Sequence, residues 1–175
     1  MLERIIQEIN SSLENGCFVS ALALGLTLPD ICGKAEYPSL GNTTRYIKWY
    51  NIHIGNNEKP SDPYGTDMPY ASGEVTYNLR NSLLHQGTPN ITASDVKEER
   101  CKVDKFILSI SDDYDSGTSM VAYGAGMKIV KRKLKINIRH LCYLLCDAAS
   151  KYYDVNKEKF NFFDYELIDE RSVVG

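Results

Sequence analysis

The chain has 175 residues, of which 43% are hydrophobic and 25% are charged, and its formal net charge is −3 at neutral pH. This length suits one domain with a substantial core, and the composition excludes a disordered or fibrous chain. The negative charge argues against a protein that holds nucleic acid over its whole surface, although it leaves room for a local basic site.

The sequence gives no sign of export or of a membrane anchor. The first eight residues are amphipathic and contain acids, whereas a secretory leader has a basic start followed by an apolar run. The most apolar stretch, residues 17–28, is shorter than the roughly 20 residues that a membrane span needs. The five cysteines are an odd number without framework spacing, which favours reduced thiols. We therefore expect a cytoplasmic protein without membrane contact.

Helices are predicted wherever apolar residues recur three and four positions apart. In the first half of the chain they span about residues 2–13, 17–28, 43–50 and 72–85. Pro29 is expected to stop or kink the second helix, and Asn42 or Thr43 to cap the third. A polar loop is expected at residues 56–63, where two prolines interrupt the pattern.

In the second half of the chain the spacing of apolar residues changes from that of helices to that of strands. Residues 103–111 and 126–137 have the composition of strands, and residues 112–117 between them have that of a turn. A last long helix is predicted over 138–153, followed by an aromatic and then acidic tail. The sequence thus predicts a mainly α single domain over 1–175, with a β-hairpin inserted at about 102–137.

The most distinctive stretch is YNLRNSLLHQG, residues 77–87, at the end of the fourth predicted helix. Asn81 and His85 lie one turn apart on the same face, whereas Arg80 lies about 140° from His85 at 100° per residue. One helix alone would therefore make a poor site. Two such helices crossing at a dimer interface would bring two arginines and two histidines together.

This stretch resembles the R-x4-6-H motif of the HEPN (higher eukaryotes and prokaryotes nucleotide-binding) superfamily. Arg80 matches the motif arginine, Asn81 the polar residue that usually follows it, and His85 the motif histidine at the shortest spacing. The resemblance implies a HEPN-like helical bundle, a homodimer, and metal-independent RNA cleavage without a cofactor. It further implies a toxin or phage-defence setting, with an antitoxin or regulatory protein as a possible partner.

The residue types suit that chemistry. In RNA cleavage by transesterification the 2′-hydroxyl attacks the neighbouring phosphate, which requires a proton acceptor near neutral pH such as His85. Arg80 would supply a fixed planar cation for the phosphate and for the charge of the transition state. Asn81 would orient the imidazole or bind a phosphate oxygen.

Two other hypotheses stay open beside the nuclease. One is a non-catalytic HEPN-like module that binds RNA or a protein through the same helix. The other is a helical adaptor in which the motif is structural, since arginine and histidine near a helix C-terminus also suit its dipole.

Further residues are candidates for RNA contact. Lys131, Lys133 and Lys135 share one face of the second predicted strand and belong to a wider basic cluster. The alternative is a solvated edge strand on which lysines block aggregation. Tyr77 precedes the motif on its helix and would line the cleft or stack on a base, although packing is the commoner role of such a residue.

No metal site is predicted. Cys142 and Cys146 lie one turn apart near His140, but no second ligand pair has zinc spacing, so buried structural thiols are favoured. Residues 113–117 loosely resemble a calcium loop but lack the closing glutamate, so a plain turn is favoured. His53 has no evident partner.

Overall fold

The structure is a computed structural model that describes residues 1–60, 68–97, 102–112 and 117–162. Within these residues the protein is mostly helical and has one small mixed sheet. The α-helices are α1 (Leu2–Glu14), α2 (Phe18–Gly25), α3 (Leu28–Glu36), α4 (Asn42–Tyr50), α5 (Gly73–Gln86) and α6 (Ile138–Val155). The strands are β1 (Lys105–Ser109), β2 (Gly117–Tyr123) and β3 (Ile129–Asn137).

The helix predicted over residues 17–28 is in fact two helices. The break between α2 and α3 falls at residues 26–27, and Pro29 lies in the first turn of α3 rather than at the end of α2. A proline in a first turn removes an N–H that has no helical acceptor, so it starts a helix at little cost. Residues 30–36 therefore continue as a helix, with Asp30 in its first turn.

The predicted third helix is α4, and it begins one residue early, at Asn42, with Gly41 in the cap position. It continues into a five-residue π-helix, Asn51–Gly55, which the periodicity did not predict. The side chain of Asn51 accepts a 2.7 Å hydrogen bond from the backbone N–H of Gly73. The π-helix thus ties the end of α4 to the start of α5.

The predicted β-hairpin is wrong in its pairing. The two predicted strands, β1 and β3, are neighbours that run parallel, and β2 lies between them in sequence but pairs antiparallel with the other side of β3. The insertion is therefore a three-stranded sheet in the order β1-β3-β2 with β3 at its centre. Residues 113–116 of the predicted turn, and 61–63 of the predicted polar loop, lie outside the described residues.

The core forms where α4 packs between α3 and α5, and where α6 packs against α1, α2 and α3. Its largest fully buried side chains are the aromatic residues of α4, namely Tyr46, Trp49 and Tyr50. The inward face of the sheet contributes Phe106, Leu134 and Ile136. Burying large rings of this kind dominates core energetics, so α4 is the central element of the helical body.

One stretch, Phe18–Glu36, has the length and composition of a membrane span, but half of it is buried inside the protein. It is also interrupted between α2 and α3. Buried core helices can have the same length and composition as a membrane span.

One residue joins the sheet to the last helix. Asn137 ends β3 and caps α6, because its Oδ1 accepts a 3.0 Å hydrogen bond from the N–H of Arg139. Its Nδ2 donates to the carbonyl of Ser111, beyond the end of β1, at 3.2 Å. The predicted start of the last helix at residue 138 is confirmed.

Candidate functional site

The candidate site lies at the C-terminal end of α5, and local sequence fixes both ends of that helix. Ser72 caps the start, since its hydroxyl accepts from the N–H of Val75 at 3.2 Å. Gly87 adopts φ +68° just past the end, a left-handed conformation that glycine tolerates best. The chain therefore leaves α5 just after His85, which is exposed in the last turn.

The guanidinium of Arg80 joins the motif residues within one chain. Its Nη1 lies 3.0 Å from Nε2 of His85 and donates to Oδ1 of Asn81 at 3.0 Å. The prediction that one helix alone keeps Arg80 and His85 apart is therefore wrong. The 140° separation describes the backbone positions, and the flexible three-methylene stem of arginine carries its planar fork across the difference.

The contact is compatible with one tautomer of the imidazole. Arginine has no acceptor atom, so a hydrogen bond here has Nη1 as donor and Nε2 of His85 as acceptor. In the tautomer that carries its proton on Nδ1, Nε2 has the lone pair for this bond. A general base uses the same lone pair, so Nη1 must move away before Nε2 can accept a proton.

Asp30 anchors the arginine from the opposite side. Its Oδ2 lies 2.9 Å from Nη2 of Arg80, and the two side chains are 18% and 22% exposed. Burial raises the pKa of Asp30 above its ordinary value of 3.8, although the positive charges of Arg80 and Arg45 oppose that shift. Three polar groups thus run outward from a buried carboxylate through the arginine to an exposed histidine.

Asp30 was not among the residues predicted from the sequence. It stands in the first turn of α3, where an acid also suits the helix dipole, so no local signal marks it as a partner. Only the packing of the helices brings α3 to within ion-pair distance of a residue 50 positions later in the chain.

The structure places Asn81 and Tyr77 beside the motif in different ways. Asn81 faces Arg80 and not the imidazole, so it orients the cation. Tyr77 is half-buried: its hydroxyl accepts from the hydroxyl of Thr43 at 2.8 Å, and its ring meets that of Tyr46 edge-on at 5.2 Å between centroids. These contacts fix the side chain of Tyr77 one turn before the motif. They show that Tyr77 has a packing role.

The predicted lysines lie on the sheet, away from the motif. Lys131, Lys133 and Lys135 share one face of β3. The hydroxyl of Ser119 in β2 donates to the carbonyl of Pro69, which precedes α5, so the sheet adjoins the end of α5 opposite to the motif. The alternative that these lysines protect an edge strand is wrong, because β3 is the central strand.

The remaining chemical candidates have structural surroundings. Cys142 and Cys146 are buried, and burial raises the pKa of each thiol to about 12, so both stay protonated. Nε2 of His140 lies 3.7 Å from Glu58. His53 stacks on Trp49 at 4.6 Å between ring centroids. Among the described residues no group of three or more potential ligands is arranged to hold a metal ion, and 113–116 of the calcium-like stretch lie outside them.

A scan against protein-family models found no family that matches this chain, and searches of curated proteins and of solved structures found no match either.

Proposed function

We propose that this protein is a metal-independent endoribonuclease of the HEPN type. One observation carries the proposal: Nη1 of Arg80 lies 3.0 Å from Nε2 of His85 at the exposed end of α5. The ion pair between Arg80 and Asp30 supports it, because it fixes the cation from the protein side. The resemblance of residues 77–87 to the R-x4-6-H motif supplies the reaction class.

The reaction follows from these groups. Nε2 of His85 accepts the proton of a ribose 2′-hydroxyl, whose oxygen then attacks the adjacent phosphorus. The bond from phosphorus to the 5′-oxygen breaks, giving a 2′,3′-cyclic phosphate and, after proton return to the leaving oxygen, a 5′-hydroxyl. Arg80 neutralises the charge that develops on the phosphoryl oxygens. Nη1 must turn from His85 to the phosphate, while Asp30 retains Nη2.

The proposal includes a cytoplasmic homodimer in which two copies of this helix end face one substrate. A second imidazole, which starts protonated, would then donate its own proton to the leaving 5′-oxygen, while the first accepts the proton of the 2′-hydroxyl and is left protonated. A toxin or defence setting with an antitoxin partner rests on the family resemblance alone.

A second candidate is a non-catalytic module that binds RNA or a protein through the same surface. It is favoured by one observation: both terminal nitrogens of Arg80 already have partners inside the chain. A network of polar contacts that only stabilises the fold would show the same arrangement of Asp30, Arg80 and His85. The adaptor hypothesis would gain from a His85 that is buried and hydrogen-bonded within one chain; His85 contacts Arg80 within the chain, but its side chain is exposed.

The test is cleavage of an end-labelled single-stranded RNA in excess EDTA. We expect products with a 2′,3′-cyclic phosphate end, and no cut at a position where a 2′-deoxynucleotide replaces the nucleophile. Arg80→Ala and His85→Ala should each reduce the rate by about 10²–10⁴-fold. Arg80→Lys should recover little, because lysine keeps the charge without the planar fork.

The matched control is Arg4→Ala, which removes an arginine from the exposed face of α1. It should cleave at the parental rate. Cleavage that EDTA stops, or that survives in folded Arg80→Ala and His85→Ala proteins, would refute the nuclease. RNA binding without cleavage by the parent would favour the module.

A further inference from the structure

The outward face of the sheet collects lysines from two strands. Lys131, Lys133 and Lys135 alternate along β3, and the parallel register puts Lys105 of β1 directly opposite Lys133. The remaining positions of this lysine face on β2 are uncharged: Thr118, Met120 and Ala122. No described residue of the three strands is acidic, so the positive charge of this face is not neutralised within the sheet.

The arrangement opposes sheet stability when the face is empty. Residues two apart on a strand lie about 7 Å from each other, and neighbouring strands are about 4.8 Å apart. Like charges directly opposite each other on paired strands are destabilising. Three lysines in a row with a fourth beside the middle one are therefore kept at a cost, in a chain whose net charge is −3.

The usual structural role of such lysines does not explain them. Strand lysines commonly prevent edge-to-edge association, but three of these four lie on the central strand, where both backbone edges are already paired. The opposite face of β3 carries Leu134 and Ile136, which are buried in the core. The lysine face is thus the outward side of a sheet whose inward side is packed against the core.

We propose that the lysine face binds the phosphate backbone of single-stranded RNA. Charge complementarity assigns it a polyanion, and the proposed function, on which this inference rests, makes RNA the polyanion. The sheet contacts the segment before α5 through its other, inward face, where the hydroxyl of Ser119 donates to the carbonyl of Pro69. The motif lies 7 to 12 residues beyond the start of α5, which is about 10–18 Å at 1.5 Å per residue. The RNA contacts here are therefore separate from the scissile phosphate by several nucleotides.

The test measures how affinity for RNA depends on salt. A fluorescent 2′-O-methyl oligonucleotide serves as the probe, because it lacks the attacking hydroxyl and cannot be cut. Each phosphate contact to a single strand contributes about −0.7 to the slope of log K against log salt. Four lysines predict a slope of about −2.8, and K131A/K133A/K135A should weaken it by about 2. At 0.1 M salt the same variant should bind roughly 100-fold more weakly.

The matched control is K34A/K48A/K151A, which removes three exposed lysines from α3, α4 and α6. This control variant changes the net charge by the same amount. It should alter the slope by less than about 0.7, the contribution of one phosphate contact. Equal losses in the two triple variants, or an unchanged slope in the first, would overturn the inference. Loss of binding to phosphatidylserine vesicles, with RNA binding intact, would assign the face to a membrane surface instead.

The two proposals fail separately. Should RNA not be cut while the slope still depends on the three lysines, the nuclease fails and the lysine face stands. Should RNA be cut while the slope is the same with and without the three lysines, the proposal for the lysine face fails and the nuclease stands.

Discussion

Arg80 illustrates why sequence spacing and side-chain contact are different quantities. Helical geometry correctly separates its backbone from that of His85, but the two side chains meet at 3.0 Å. The motif itself could be identified from the sequence because Arg80, Asn81 and His85 are close in the chain. Asp30 could not, since its role depends on how α3 and α5 both pack around α4, and an acid after a proline at a helix start is common.

Asp30 is a positioning residue, and its titration gives a sharp test. Its folded-state pKa is raised, so the folded protein binds more protons than the unfolded chain just above pH 3.8. The stability that protonated Asp30 contributes is fully present below pH 3.8 and is lost as pH rises through the raised value. Asparagine does not ionise, so Asp30→Asn does not lose this stability. We therefore expect the unfolding free energy of the variant, minus that of the parent, to increase as pH rises from 3.8 through the raised pKa of Asp30.

The same variant should lose activity. Asparagine cannot hold Nη2 of Arg80 by charge, and misplacing a catalytic group costs about tenfold to 100-fold in rate. Thermal melts from pH 3.5 to 7, together with cleavage rates at pH 7, measure both effects. Asp112→Asn, at a side chain that is 96% exposed, is the control. A stability difference that falls with rising pH would contradict the assignment.

Among the elements, the helices and the strands β1 and β3 were predictable, whereas strand β2 and the pairing of the strands were not. The strongly periodic segments became α1, α5 and α6 near their predicted bounds, and only the break between α2 and α3 was misplaced. Strand β2 (GTSMVAY) was missed because it buries little on either face, so its alternation is weak. The parallel pairing of β1 with β3 joins residues 28 apart, and no local pattern encodes it.

The approach of α3 to α4 sets the position of Asp30, and it depends on Gly33. A Cβ at Gly33 would lie 2.9 Å from the backbone carbonyl oxygen of Arg45, which is too close. We expect Gly33→Ala to push α3 away from α4, to cost about 1–3 kcal/mol of stability, and to slow cleavage. Urea unfolding at pH 7 measures the first effect.

Gly41→Ala is the control for that substitution, since a Cβ there meets nothing within 4 Å. It weakens a cap preference but also reduces the freedom of the unfolded chain, so the net change should be near zero. Equal destabilisation by both variants would show that close packing at Gly33 is not the cause.

At the scale of the whole molecule, the intrachain contact changes the case for a dimer. A second copy is no longer needed to bring an arginine to a histidine, because one chain does so. What the partner would supply is a second imidazole. Since imidazole is the side chain suited to proton transfer near neutrality, one imidazole as base and another as acid make a faster pair than either alone.

We therefore expect the specific activity per chain to fall on dilution, in step with dissociation of the dimer. Light scattering and cleavage rates measured over the same concentration range test this. A protein that is monomeric throughout and fully active would contradict the dimer while leaving the Arg80–His85 pair intact.

Asn137 has a mechanical consequence. Because one residue both ends the central strand and begins α6, no spare chain separates them. Its two hydrogen bonds, to Arg139 on one side and Ser111 on the other, brace that junction. We therefore expect the sheet and α6 to move together, so that a force on the lysines of β3 passes directly into the backbone of the longest described helix.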